Sequence, residues 1–246
     1  MSFLFESFAD WKKYAEEKKL ALHEVVLEYE RDQKGKDKEQ IMEGLARAWA
    51  VMKDAVHTGL TEEMTSRSGM INNGAKKVYN YPTPVLSKEF QNLISRALAA
   101  KEVNSCMGRV VAAPTAGASG IMPGVLFTLQ EIHQIDDQKI LEAMLLAAGI
   151  ALIMEQKASI AGAVGGCQAE TGTAAAMGSG AIVYCLGGNT DQIFNAVAIT
   201  VQCMLGLVET RYKETALGGL AATKTGQAIA KRVLIRDIEI LPDESN

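Results

Sequence analysis

Three stretches of the chain place reactive or ligand-holding side chains among glycines. The first, Ala113-Pro114-Thr115-Ala116-Gly117-Ala118-Ser119-Gly120, leads into an apolar segment with helical character. Glycines let a backbone approach a ligand closely. The unpaired amides of a helix start, with the Thr115 and Ser119 hydroxyls, suit an anionic group such as a carboxylate. The same residues also make a capped, tightly packed helix start that holds no ligand. The second stretch, Gly162-Ala163-Val164-Gly165-Gly166-Cys167-Gln168-Ala169-Glu170-Thr171-Gly172, puts Cys167 where a helix begins. There the positive end of the helix dipole stabilises a thiolate, as a nucleophile or metal ligand requires. The alternative is a small buried residue beside close-packed glycines. The third, Glu214 to Gly226, carries Gly218-Gly219 and Thr223-Lys224-Thr225, where Thr223 or Thr225 can cap a last helix. Three such entrances in one chain point to a shared small-ligand pocket at helix ends.

Those entrances need helices behind them, and the hydrophobic periodicity supplies these. Residues 2–30 carry Phe8, Trp11, Tyr14, Leu20, Leu22, Val25, Val26 and Tyr29 at helical spacing, and Gly35 ends the pattern. Lys38 to His57 forms a second amphipathic helix with Ile41, Leu45, Trp49 and Met52 on one stripe. Together they make an amino-terminal hairpin (1–60) that is mobile or faces a partner. Residues 65–84, with Ser68, Gly69, Asn72-Asn73-Gly74 and Tyr81-Pro82-Thr83-Pro84, read as an ordered loop. Further helices are expected near 87–104, 121–134, 137–157, 168–186, 190–206 and 224–234. Alternating β-branched runs are scarce, so the expected fold is all-α, a bundle with small-residue-rich buried central helices, spanning 61–236 before a tail at 237–246.

Composition narrows the function. The 246 residues are 48% apolar, with a net charge of −4 and a pI near 5.5. Acidic and basic residues are mixed along the chain, which removes the electrostatic footprint of a nucleic-acid binder. The run Ile140 to Met154 is interrupted by Glu142 and is shorter than a bilayer span. The amino terminus lacks the basic-then-apolar order of a secretory signal, which predicts a cytoplasmic protein. The four cysteines, Cys106, Cys167, Cys185 and Cys203, stand 61, 18 and 18 residues apart, with no C-x-x-C pair. No H-E-x-x-H, G-x-S-x-G or P-loop pattern occurs. His23, His57 and His133 lie on or near the ends of predicted helices, where surface or capping roles are expected.

The order of segments resembles the alpha chain of iron–sulfur-dependent L-serine dehydratases. The likeness is carried by Val103-Asn104 to Gly108, Pro114 to Gly120, Pro123-Gly124 and Ala158-Ser159-Ile160. It continues through the Gly165-Gly166-Cys167-Gln168-Ala169-Glu170 box, Met204-Leu205-Gly206-Leu207-Val208, and Gly218-Gly219-Leu220-Ala221-Ala222-Thr223 with Thr225-Gly226. The resemblance implies elimination of water from L-serine to give aminoacrylate, then pyruvate and ammonia. It implies a [4Fe-4S] cluster with one iron open to substrate, no pyridoxal phosphate, and a beta chain or second copy as partner. By motif match Cys167 is the first cluster ligand. Thr115, Gly117, Ser119, Ser68 and Thr223 are the candidate substrate-binding residues, and Lys157, Glu170 and Lys224 the candidate bases.

The likeness breaks after Val208. Where the family continues into a Cys-Asp-Pro segment with a second cysteine beyond it, this chain has Glu209 and reaches the Gly218-Gly219 box within ten residues. Lys157 and Ala161 also stand where the family has an amide and a serine. Three readings follow: a serine dehydratase alpha chain; a cluster-free homologue serving as a ligand-binding or regulatory subunit; or an internally shortened form of a longer dehydratase.

Overall fold

The computed structural model describes residues 5–204. These form nine helices: α1 (Phe8–Lys18), α2 (Leu22–Lys34), α3 (Lys38–Thr61), α4 (Gly74–Asn80), α5 (Lys88–Ser105), α6 (Ile121–His133), α7 (Asp137–Lys157), α8 (Gly162–Cys185) and α9 (Thr190–Met204). A 3-10 turn at Ala116–Ala118 precedes α6. The only β-type pairing among the described residues is an isolated bridge between Thr65 and Asn72, so the all-α expectation holds. None of the described helices is long and apolar enough to cross a membrane. The helix expected near 224–234 and the tail lie outside the described residues.

Local chemistry explains most boundaries. The Ser87 hydroxyl accepts from the Phe90 amide at the start of α5, and Asp136 accepts from Lys139 N (2.7 Å) at the start of α7. Each satisfies an amide that the helix leaves orphaned. Asp37 and Gln40 form a reciprocal capping box on α3. The single helix expected over 2–30 is two. Lys19 adopts the left-handed conformation (φ 56°), and its amide closes α1 onto Ala15 and Glu16 before the chain turns into α2. The 65–84 segment is ordered as expected, but it also contains α4, whose Ala75 amide is held by the buried Glu102 carboxylate (3.1 Å) of α5.

The core is centred on α7, which buries Ile140, Leu146, Ile150 and Ile153, among others, against α2 and α8. The segment expected as an amino-terminal hairpin shares that core. Phe5, Phe8, Trp11, Val25, Val26 and Trp49 belong to the same buried cluster as Leu146 and Phe194. Trp11 stacks on Phe5 (centroids 5.0 Å) and donates its indole N–H to Leu22 O (3.1 Å), so its polar atom is satisfied inside the core. On the far side, α5 lies between α3, α4 and α6, and α8 packs along α9. His23 departs from its expected surface role. It is half-buried, 3.0 Å from the Tyr184 hydroxyl, which itself donates to Glu142 (2.8 Å). Burial pushes the His23 pKa down, against the pull of Glu142 and Glu24.

Candidate active site

The first two glycine-rich entrances meet. α8 starts with one turn from Gly162, is broken at Gly166 (φ 71°, ψ 169°), and then runs unbroken to Cys185. Only glycine takes that backbone conformation without steric cost, and the break makes Cys167 the opening residue of the long helical segment. One turn later Glu170 reaches back over both entrances. A Cβ built on Gly117 would overlap the Glu170 carboxylate, and one on Gly162 would come within 3.0 Å of it. The glycines at 117 and 162 therefore make room for the chain's own Glu170 carboxylate, where the sequence pattern suggested close approach to a bound ligand.

The polar groups around this carboxylate are left open. The Thr115 and Ser119 hydroxyl oxygens are buried without hydrogen-bond partners, and Ser119 is only 1% exposed. Buried hydroxyls are ordinarily satisfied, so two unsatisfied ones on one turn single it out as a candidate ligand site. Glu170 itself is half-buried and, among the described residues, has no hydrogen bond or ion pair. The turn is fixed from behind by α5. Lys101 Nζ donates to Gly117 O (2.7 Å) and Asn104 Nδ2 donates to Ala116 O (3.0 Å). With Glu102, which holds the Ala75 amide of α4, these residues make the last turn of α5 a hub that ties the start of α4 and the Ala116–Gly117 turn to one helix. Asn104 falls within the run that carried the family resemblance; Lys101 was missed, because α5 also carries Lys88 and Arg96 and nothing in the sequence sets Lys101 apart from them.

The remaining candidates are spread out. Lys157, at the end of α7, forms an ion pair with Glu6 (3.8 Å). Ser68 is exposed on the α3–α4 loop, where its hydroxyl meets Ser66 Oγ (3.2 Å) and the Met70 amide (3.4 Å). Thr223 and Lys224 lie outside the described residues.

The cysteines do not fit a [4Fe-4S] cluster held by this chain alone. Cys167 is exposed at the start of the long run of α8, while Cys185 ends the same helix 18 residues away, a separation of roughly 27 Å at 1.5 Å per residue. Burial pushes the Cys185 thiol up to about 11, unlike a ready thiolate ligand. Cys106 packs beside Val56, Met64 and Val103, and Cys203 is exposed near the end of α9. Among the described residues, no three His, Cys, Asp or Glu side chains are placed to hold a metal ion, and residues 205–246 contain no cysteine.

Comparison with known proteins accounts for the arrangement. The family model for the serine dehydratase alpha chain matches residues 17–208. A probable L-serine dehydratase alpha chain of Bacillus subtilis is 35% identical over 208 residues, covering 83% of this chain and 69% of its own. The L-serine dehydratase alpha chain of Peptoniphilus asaccharolyticus is 36% identical over 195 residues, covering 78% of this chain and 67% of its own. An L-serine dehydratase of Streptomyces coelicolor is 35% identical over 214 residues, covering 84% of this chain and 46% of its own. With its family match spanning α2 to α9 and its two glycine-rich entrances closed around Glu170, the chain belongs to the serine dehydratase alpha chain family.

Proposed function

We propose that this chain is the alpha chain of a cytoplasmic L-serine dehydratase, working with a beta chain to eliminate water from L-serine. The observation that carries this is the unsatisfied polar set about Gly117: the unpaired Glu170 carboxylate lies against the turn that carries the orphaned Thr115 and Ser119 hydroxyls. A small zwitterion with a hydroxyl is the kind of ligand that such a set would satisfy. The hydroxyls and the amino end of α6 suit its carboxylate, and Glu170 suits its ammonium. Glu170 is also this chain's candidate acceptor of the α-proton. Of the two candidate bases within the described residues, Glu170 and Lys157, it is the one that reaches Gly117, and a half-buried, unpaired carboxylate keeps its lone pairs available.

Loss of the α-proton and of the β-hydroxyl as water leaves 2-aminoacrylate, which hydrolyses to pyruvate and ammonia. The cluster that the resemblance implies finds one candidate ligand here, Cys167. This chain's own share is therefore the binding and orientation of L-serine and the handling of its proton.

The test is pyruvate formation from L-serine by the full chain purified without oxygen, with iron and sulfide supplied, alone and together with its beta chain. Turnover that requires the alpha chain and falls by about a hundredfold or more in Glu170→Gln, the scale of a lost general base, is expected. An assembly in which Glu170→Gln turns over as wild type would remove Glu170 from the reaction. An assembly that forms no pyruvate would remove the lyase function.

A further inference from the structure

Among the described residues, Lys101 is the one cation hydrogen-bonded to the Thr115–Ser119 turn. Its ammonium spends one donor on Gly117 O (2.7 Å). Among the described residues no carboxylate pairs with it, and its sequence neighbour Glu102 is engaged on the opposite side, against Gly74 and the Ala75 amide. An ammonium has three donors, so two remain. Lys101, Gly117 and Thr171 line a common cavity of about 340 Å³, continued by Ile94 and Leu98. Thr115, Ser119 and Glu170 are not part of that lining, and what joins Lys101 to them is Gly117 itself. Gly117 is thus shared: its carbonyl faces a half-buried cation from α5, and its α-carbon faces a half-buried anion from α8.

We infer that Lys101 binds the carboxylate of the amino-acid substrate, which rests on the reading of the Gly117 turn as the L-serine site. Lys101 and Glu170, straddling one residue without pairing to each other, form a split charge pair matched to an α-amino acid zwitterion. Lys101 is the half that selects for a carboxylate. The neutral hydroxyls of Thr115 and Ser119 can hydrogen-bond a carboxylate but cannot reject an amino alcohol that lacks one. A fixed cation can, because its contribution is lost with the charge it faces.

The inference is tested by equilibrium binding to the full chain, by calorimetry or ligand-observed magnetic resonance, with L-serine and with 2-aminoethanol, which keeps the ammonium and hydroxyl but has no carboxylate. Lys101→Gln keeps a donor for Gly117 O and removes the charge; Lys101→Arg keeps the charge. Lys101→Gln is expected to weaken L-serine about ten- to a hundredfold, the scale of a lost charge-assisted bond. It leaves 2-aminoethanol unchanged, and Lys101→Arg restores most of the L-serine affinity. Equal weakening of both ligands would mean that Lys101 only props the turn, and unchanged L-serine affinity would mean that it plays no part; either overturns the inference while leaving the site in place. A wild-type chain that binds no amino acid would overturn the site, and this inference with it.

Discussion

Gly117→Ala isolates the contact on which the site depends. The added methyl would occupy the space of the Glu170 carboxylate, which approaches Gly117 more closely than any real Cβ tolerates. Because the colliding atoms are the far end of a rotatable side chain and not backbone, the carboxylate swings aside and the fold is barely taxed. The stability cost is expected below about 1 kcal/mol, at the lower edge of overpacking penalties. Ligand affinity behaves differently. If the displaced carboxylate is the partner of the substrate ammonium, its loss removes about 1.5–3 kcal/mol. At about 1.4 kcal/mol per decade this is roughly a 10- to 150-fold rise in the L-serine dissociation constant. Thermal melting and L-serine binding measured on the same preparations separate the two effects. Gly162→Ala, where the nearest approach is 3.0 Å, should show the same pattern more weakly. The decisive control is the Glu170→Ala background, in which Gly117→Ala has nothing left to displace and should cost no further affinity. An affinity loss that persists there, or a Gly117→Ala chain that binds L-serine as wild type, would refute the argument.

Four further outcomes follow from the same coordinates. Trp11→Ala, which empties a fully buried site shared with Phe5, Phe8 and Phe194, should lose about 3–5 kcal/mol in chemical denaturation. Alkylation followed by mass spectrometry at pH 8 should modify the exposed Cys167 and Cys203 well before Cys185, whose thiol burial holds near 11. Gly166→Ala meets no neighbouring atom, so it should cost about 1–3 kcal/mol through its backbone conformation alone, read as a lowered melting temperature. The depressed pKa of His23 means that the unfolded chain takes up a proton first as pH falls. Its contribution is present above about 6.5 and lost below it, toward the lower folded value. The melting temperature should therefore drop between pH 7.5 and 5.5, and drop less in His23→Gln.

What the sequence made legible was what local physics decides. The helices α5, α6, α7 and α9 begin and end close to where periodicity and capping residues put them, because Ser87, Asp136 and the apolar stripes act within a few residues of the boundary. The break between α1 and α2 was hidden because it uses Lys19 in a left-handed conformation, where a glycine would have announced it. α4 was hidden for a different reason. Its start at Gly74 follows a left-handed Asn73 and reads as a turn, and the group that secures it, Glu102, lies 27 residues further on. His23 looked like a surface residue because its partners, Tyr184 and Glu142, belong to helices far along the chain.

The same division runs through the site. Thr115, Gly117, Ser119, Cys167 and Glu170 were all visible as residue types beside glycines, since close approach demands glycine whatever it is that approaches. Which side chain fills the space was not visible. Nothing in Gly117 names Glu170 as its neighbour, and nothing in Lys157 names Glu6. Pairing is a property of the packed fold, and it separates the two candidate bases within the described residues, placing Glu170 against Gly117 and Lys157 in an ion pair with the amino-terminal segment. It also limits what family likeness carries over. The box around Cys167 keeps its glycine break and its glutamate, yet a cluster needs several thiolates brought to one point, and Cys106, Cys185 and Cys203 each sit where their own helix places them. The Glu170 carboxylate, the Thr115 and Ser119 hydroxyls and the Lys101 ammonium need no such gathering from distant helix ends, because they hang on α8, α5 and the turn between α5 and α6, which meet at Gly117.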